Sequence, residues 1–167
     1  MNRLWTPWRM NYLENGPPGG GEGCLFCDKI AANDDAAHHV LYRGEHGYVT
    51  LNLYPYNNGH LMVVPYAHVP SLEELDTPTL TEIMTLTSRA MQVLRKAYHP
   101  EGFNVGINIG AAAGAGVAGH LHQHIVPRWH GDTNYMATLA ETRIIPEWID
   151  ETYARLRAVW LEIFPQE

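Results

Sequence analysis

From Val40 onward the chain alternates short apolar runs with clusters of turn-forming residues. Val40-Leu41-Tyr42 leads through Gly44 and Gly47 into Tyr48-Val49-Thr50-Leu51-Asn52-Leu53; Pro55 to Gly59 read as a turn, and Leu61-Met62-Val63-Val64 follows. That is the pattern of strands joined by tight connections. The period then changes. Leu80, Ile83, Met84, Thr87, Met91, Leu94 and Tyr98 recur at helical spacing and predict a long helix with one buried face. Thr77 is expected to cap it, with Pro78 at the first helical position, and His99-Pro100-Glu101-Gly102 to end it. Phe103 to Ile109 alternates small or polar with apolar residues, as a half-buried strand does. Gly110 to Gly119 reads as a loop, His120 to Val126 as the next strand stopped by Pro127, and a last helix is predicted from near Pro146 with Ile149, Leu156, Trp160 and Ile163 on one face. Strands in consecutive runs, with helices inserted rather than alternating, predict an α+β fold on an antiparallel sheet.

Composition fits this picture: 167 residues, 46% of them hydrophobic, are enough for one globular domain with a real core. The stretch Gly16-Pro17-Pro18-Gly19-Gly20-Gly21-Glu22-Gly23 suits neither helix nor strand and reads as a connector. It sets residues 1–23, an arm rich in Trp, Tyr and Met, apart from a domain spanning 24–167. Residues 4–13 of the arm are expected to pack on the body or on a second subunit. A formal net charge of -7 argues against a nucleic-acid partner, which needs a basic face, yet leaves room for a phosphorylated small molecule in a locally positive pocket. No run of about 18 apolar residues or signal-peptide pattern is seen, so no membrane partner is expected. With only two cysteines, Cys24 and Cys27, the expected compartment is the cytoplasm.

The chemistry concentrates in His120-Leu121-His122-Gln123-His124. On a strand, residues two apart share a face, so the three imidazoles point one way at about 7 Å spacing. A lone histidine would read as an ordinary half-buried residue; three in register directly after a glycine-rich loop are hard to explain as packing. Neutral imidazoles at this spacing could share one metal ion. They could also serve phosphoryl or nucleotidyl transfer, one as nucleophile and the others as donors to phosphate oxygens. The glycine loop favours the second chemistry, because small residues let backbone N–H groups approach anionic oxygens.

The run His120 to Val126 resembles the histidine-triad motif of the HIT superfamily, and the resemblance extends over residues 24 to about 130. Asn57-Asn58-Gly59-His60-Leu61-Met62-Val63-Val64-Pro65 is similar to the glycine-histidine strand of that family, and Asn108 to Gly116 to its phosphate-side loop. The resemblance implies a HIT-like fold of about five antiparallel strands with a long helix and a C-terminal helix. It implies that His122 is the nucleophile forming a nucleotidyl-histidine intermediate, that His124 donates to the phosphate, and that His120 sits beside the leaving group in contact with His60. Asn52 would bond the ribose hydroxyls, and Asn108, Gly110, Gly114 and Gly116 would line the phosphates. Leu4 to Leu13, Leu51 to Asn57, Pro127-Arg128-Trp129 and Gly131 to Tyr135 look like the branch of bacterial diadenosine tetraphosphate phosphorylases. In that branch inorganic phosphate, rather than water, removes the adenine nucleotide from histidine. Family members commonly pair as homodimers with continuous sheets.

The sequence also departs from the family. Gln123 stands where an apolar residue is usual; facing away from the triad, it either hydrogen-bonds beyond the sheet or recognises a partner. Gly116 and Val117 stand where many members carry Gln and Ser or Thr. The pair Cys24-Leu25-Phe26-Cys27 is half a zinc site by spacing, with a redox pair or two buried thiols as the rival readings. In zinc-containing members the pair is completed by histidines that correspond to His68 and His120, which would make a closed structural zinc site. His38, His39, His46, His99 and His130 are read as surface or loop residues. Two further functions compete with the phosphorylase: a HIT hydrolase of adenylates or nucleoside phosphoramidates, and a metal-dependent hydrolase, cupin-like, with the metal on the three histidines. A non-catalytic nucleotide-binding protein is the third.

Overall fold

The computed structural model describes residues 23–132 and 145–165, so the arm at 4–13 and most of the segment Gly131 to Tyr135 lie outside the described residues. The elements are α1 (Leu25–Ala31), β1 (Val40–Arg43), β2 (Gly47–Leu51), β3 (Leu61–Pro65), α2 (Thr77–Tyr98), β4 (Gly102–Ile107), β5 (Gln123–Arg128) and α3 (Ile149–Ile163). The strands form one five-stranded sheet in the order β1-β2-β3-β5-β4, every neighbouring pair antiparallel. This is the α+β architecture expected from the pattern. Among the described residues no helix is long and apolar enough to cross a membrane.

Strand alternation divides the sheet into two faces. Leu41, Val49, Leu51, Leu61, Val63 and Ile125 face α2 and α3, where Ile83, Leu86, Ala90, Val93, Leu94, Leu156 and Trp160 close the main core. Each valine, leucine and isoleucine among them contributes about 1.5–3 kcal/mol when removed from water. The opposite face carries Val40, Tyr48, Met62 and Val64, covered by Phe26 of α1. That helix is only seven residues long and follows a glycine-rich connector, so no periodicity announces it.

Several boundaries differ from expectation for local reasons. Asp76, not Thr77, caps α2: its carboxylate accepts the Thr79 N–H at 3.0 Å. Met84, expected on the buried face, is 59% exposed, and Leu86, Ala90 and Val93 take the core positions instead. β2 ends at Leu51 because Asn52 Oδ1 accepts the Tyr54 N–H at 2.9 Å and turns the chain. β5 begins at Gln123 rather than His120, and Pro127 lies inside it, opposite Phe103. Pro127 is tolerated because the edge it turns from β4 runs past the start of β3, where its carbonyl accepts from Asn57 Nδ2 at 3.2 Å. Pro65 ends the β3 pairing in the same way: it has no N–H to offer the chain at His120–Leu121.

Candidate functional site

Register places the histidines on the face opposite the helical core. His124 lies across from Met62, which lies across from Thr50, which lies across from Val40, so these side chains form one row over four strands. His122 stands one step earlier on β5's approach, its ring centroid 4.9 Å from that of His124. Phe26 of α1 packs against His122 at 4.8 Å and His120 at 5.4 Å, so the short helix fixes two members of the triad. His120 stands with His68, ring centroids 5.0 Å apart. His60, expected against His120, instead meets His124. The reason is register: His60 precedes Leu61, and Leu61 pairs with Ile125, at the far end of the triad from His120.

Hydrogen bonds then fix which nitrogen of each ring carries the proton. The Tyr56 N–H can only donate, so His60 Nδ1, 3.0 Å away, accepts and His60 bears its proton on Nε2. That Nε2–H donates to His124 Nδ1 at 3.0 Å, which puts the His124 proton on Nε2. His124 Nε2 is buried and has no partner among the described residues: a donor held ready for an acceptor. His122 is set the opposite way. Its Nδ1–H donates to the carbonyl oxygen of His120 at 2.8 Å, leaving the lone pair on Nε2. His120 donates Nε2–H to the Pro65 carbonyl at 2.9 Å, leaving its Nδ1 lone pair toward the cysteines. One motif thus holds three differently oriented rings.

Burial keeps all three neutral. It lowers the pKa of His120, partly against the Pro65 hydrogen bond, and of His122, partly against the His120 carbonyl. His124 falls furthest, from 6.5 to about 4, through burial first and the proximity of His122 second.

Cys24, Cys27, His68 and His120 offer four ligand atoms within 4.8 Å of one another and could hold a metal ion. Cys24 Sγ lies 3.3 Å from His120 Nδ1, Cys27 Sγ 3.3 Å from His68 Nδ1 and 3.6 Å from His120 Nδ1. A tetrahedron with metal–ligand bonds of roughly 2.0–2.3 Å has edges of about 3.3–3.8 Å, which these three separations match, and two thiols with two imidazoles are the donor chemistry of a tetrahedral S2N2 ion. The hydrogen bond from His120 Nε2 to Pro65 orients that ring as outer partners orient metal-bound imidazoles. The side chain of His120 therefore belongs to the cysteine cluster, while its carbonyl serves His122.

The remaining expected residues fall around this row. Asn52, the residue just after β2, reaches His60 Nδ1 with its amide at 3.3 Å. Extending the β4–β5 register by one pair places Asn108 opposite His122. In the loop, Gly110 and Gly114 adopt positive φ (79° and 86°), the conformation that selects glycine. The N–H groups of Ala113, Gly114 and Ala115 donate within the loop, to Gly110 and Ala111, so Gly114 is a turn residue rather than an open donor. Gln123 faces the helices and donates to Thr87 Oγ1 at 2.6 Å, the hydrogen bond beyond the sheet that its position allowed. Asp132 accepts from Arg128 Nε at 2.7 Å, Asn57 Nδ2 at 2.8 Å and the Trp129 N–H at 3.1 Å, clamping the end of β5 to the turn that presents Tyr56 and His60. His39, read as a surface or loop residue, lies in the turn before β1 with Nε2 2.7 Å from Asp150 of α3. Sequence reading missed Tyr56, which gives its backbone N–H to His60 and lays its ring against those of His60 and His124, and Lys29, which lies on the unexpected α1.

The HIT-domain profile matches residues 33–131 of this chain. The chain belongs to the HIT family. It is 41% identical to AP-4-A phosphorylase of Mycobacterium tuberculosis over 165 residues, 96% of this chain and 85% of the relative. The asymmetrical bis(5'-nucleosyl)-tetraphosphatase of Schizosaccharomyces pombe is 37% identical over 56% of this chain and 50% of its own length. Among solved structures, a Zn-bound histidine triad family protein from Mycobacterium smegmatis superposes with a TM-score of 0.70 at 27% identity, covering 89% of this chain and 100% of that one. The HIT resemblance of the sequence and the HIT fold expected from it are both established by these matches.

Proposed function

We propose that this HIT protein is an enzyme that splits dinucleoside polyphosphates of the diadenosine tetraphosphate kind through a nucleotidyl-histidine intermediate. The observation that carries the reading is the opposite setting of two neighbouring rings: His122 offers an unprotonated Nε2, and His124 a protonated one, on the same face. In the first step the His122 Nε2 lone pair forms a bond to the α-phosphorus and the bond to the bridging oxygen breaks, releasing the remaining nucleotide. His122 keeps its Nδ1 proton, so the ring becomes cationic, and the His120 carbonyl supports that charge. His124 Nε2–H meets a phosphoryl oxygen throughout. In the second step an oxygen of inorganic phosphate attacks phosphorus and the N–P bond breaks; diadenosine tetraphosphate then gives ATP and ADP.

Kinship with a phosphorylase over nearly the whole chain supports phosphate over water as the second nucleophile. Asn52 holds the ribose, and Asn108 with the loop from Gly110 to Gly116 lies along the phosphates. The N–H groups of Ala113 to Ala115 are committed within that loop, so they are not its donors to phosphate. Zinc on Cys24, Cys27, His68 and His120 would be a closed structural site, pinning α1 and its Phe26 against the triad. This arrangement disfavours a metal-dependent hydrolase on the three histidines, because only one of them faces the cysteine cluster. Thiols that face imidazoles suit a reducing compartment such as the cytoplasm. The domain is taken as residues 24–167 with residues 1–23 as arm. Val105 and Ile109, on and just beyond the edge strand β4, are exposed, which suits a homodimer joined there.

The test is incubation with diadenosine tetraphosphate with and without inorganic phosphate. ADP formed only with phosphate supports phosphorolysis, and AMP formed without it supports the hydrolase. Absence of either product would sink the dinucleotide reading.

A further inference from the structure

Lys29 projects from α1 onto the triad face and is only 3% exposed. Its ammonium donates to Thr50 Oγ1 at 2.8 Å, and no carboxylate pairs with it among the described residues. Thr50 in turn donates to the His39 carbonyl at 3.0 Å, so its hydroxyl is already set as an acceptor toward Lys29. A buried cation with donors to spare and no anion is expensive to keep, and proteins that keep one commonly use it at a site. The place of its partner Thr50 in the sheet says which part of a substrate Lys29 meets. Thr50 lies in the same row as His124, two strands away, or about 9–10 Å. That is too far for contact with the phosphoryl group on His122, and about the reach of a ribose and base. Asn52, two residues on and just past the end of β2, stands beside that path. On the same face Phe26, Val40 and Met62 are buried together.

We propose that Lys29 reads the nucleobase and favours guanine over adenine, so that this site takes guanine-containing dinucleoside polyphosphates as well as diadenosine ones. The inference rests on the nucleotide reading above and deepens it. An ammonium only donates. Guanine presents O6 and N7 side by side as acceptors, whereas adenine sets the N6 amino donor beside N7. The flexible four-carbon stem lets the ammonium leave Thr50 for the base without moving α1.

The experiment measures equilibrium binding of GMP, IMP, 7-deaza-GMP and AMP to the full chain and to Lys29→Met, alongside turnover of diadenosine and diguanosine tetraphosphate. The wild-type chain is expected to bind GMP and IMP at least fivefold more tightly than AMP, with 7-deaza-GMP losing most of that advantage. In Lys29→Met the GMP-to-AMP ratio falls to near one. The nucleotide series tests the proposal in the unaltered chain, so a variant that fails to fold does not shield it. Equal binding of GMP and AMP by the wild type, or a ratio unmoved by Lys29→Met, overturns it, as does absence of binding by any of the four. If the guanine preference holds while neither dinucleotide is turned over, the base-reading role stands and the catalytic reading falls.

Discussion

Replacing His60 with leucine removes the group that sets His124 from behind. The two side chains have similar volumes, so hydrogen bonds are lost without a large cavity. His60 is fully buried; its Nδ1 accepts the Tyr56 N–H at 3.0 Å and its Nε2–H donates to His124 Nδ1 at 3.0 Å. Leaving a partly buried donor and acceptor unpaired costs about 1–3 kcal/mol, and urea unfolding should show a loss near about 2 kcal/mol. The chemical effect is separate. With no donor at Nδ1, the His124 proton is free to occupy either nitrogen, and the donor toward phosphate is no longer held. Losing an outer partner of a functional histidine typically costs about 10–100-fold, so kcat on diadenosine tetraphosphate should fall by that order under conditions where the variant is folded. His60→Gln, which keeps an acceptor and a donor, should recover part of the rate. Imidazole nitrogen NMR should show His124 protonated on Nε2 in the wild type and a mixture of forms in His60→Leu. A folded His60→Leu that keeps kcat within threefold, or an unchanged His124 spectrum, would refute the relay.

Other consequences are equally specific. Thr87→Val should destabilise by about 1–3 kcal/mol because the buried Gln123 amide loses its acceptor, whereas the double variant with Gln123→Leu should recover most of that in denaturant unfolding; equal costs would show the pair is not coupled. His124, whose pKa falls from 6.5 to about 4 on folding, binds fewer protons folded than unfolded between those values. Its contribution is therefore complete above pH 6.5 and is lost as pH falls toward 4, on the order of 2 kcal/mol after allowance for solvent screening. Stability curves of wild type and His124→Leu that run parallel through this window would contradict it. Chelation, or Cys27→Ser with His68→Ala, should release one zinc per chain by atomic absorption and lower the melting temperature; a purified chain with no zinc would remove the structural metal. Trp160→Ala, which empties a fully buried site in the main core, should cost about 3–5 kcal/mol; a loss under 1 kcal/mol in unfolding would contradict the packing.

The row of histidines was legible because strand alternation is a property of sequence, and so was the helical face that closes the core. The division of labour within the row was not. It depends on carbonyls and N–H groups, those of His120, Pro65 and Tyr56, whose directions arise only when strands pair. His60 illustrates the limit: its importance shows in the sequence, but its contact with His124 rather than His120 follows from the Leu61–Ile125 register. α1 escaped notice because a seven-residue helix behind a glycine-rich connector has too few turns for a period to emerge, and Phe26 and Lys29 escaped with it. Pro127 misled for a related reason. Whether a proline stops a strand depends on which edge it faces, and only the neighbouring strands decide that.

The central claim is that His122 Nε2, alone in the triad, attacks phosphorus. It is tested most directly by quenching the chain in alkali during turnover of diadenosine tetraphosphate, which preserves an N–P bond, and mapping the nucleotidylated residue by peptide mass spectrometry. The account predicts one adenylyl group on His122, formed without inorganic phosphate and discharged as ADP when phosphate is added. An adduct on His120 or His124 instead, or steady turnover with no adduct on any histidine, would contradict it.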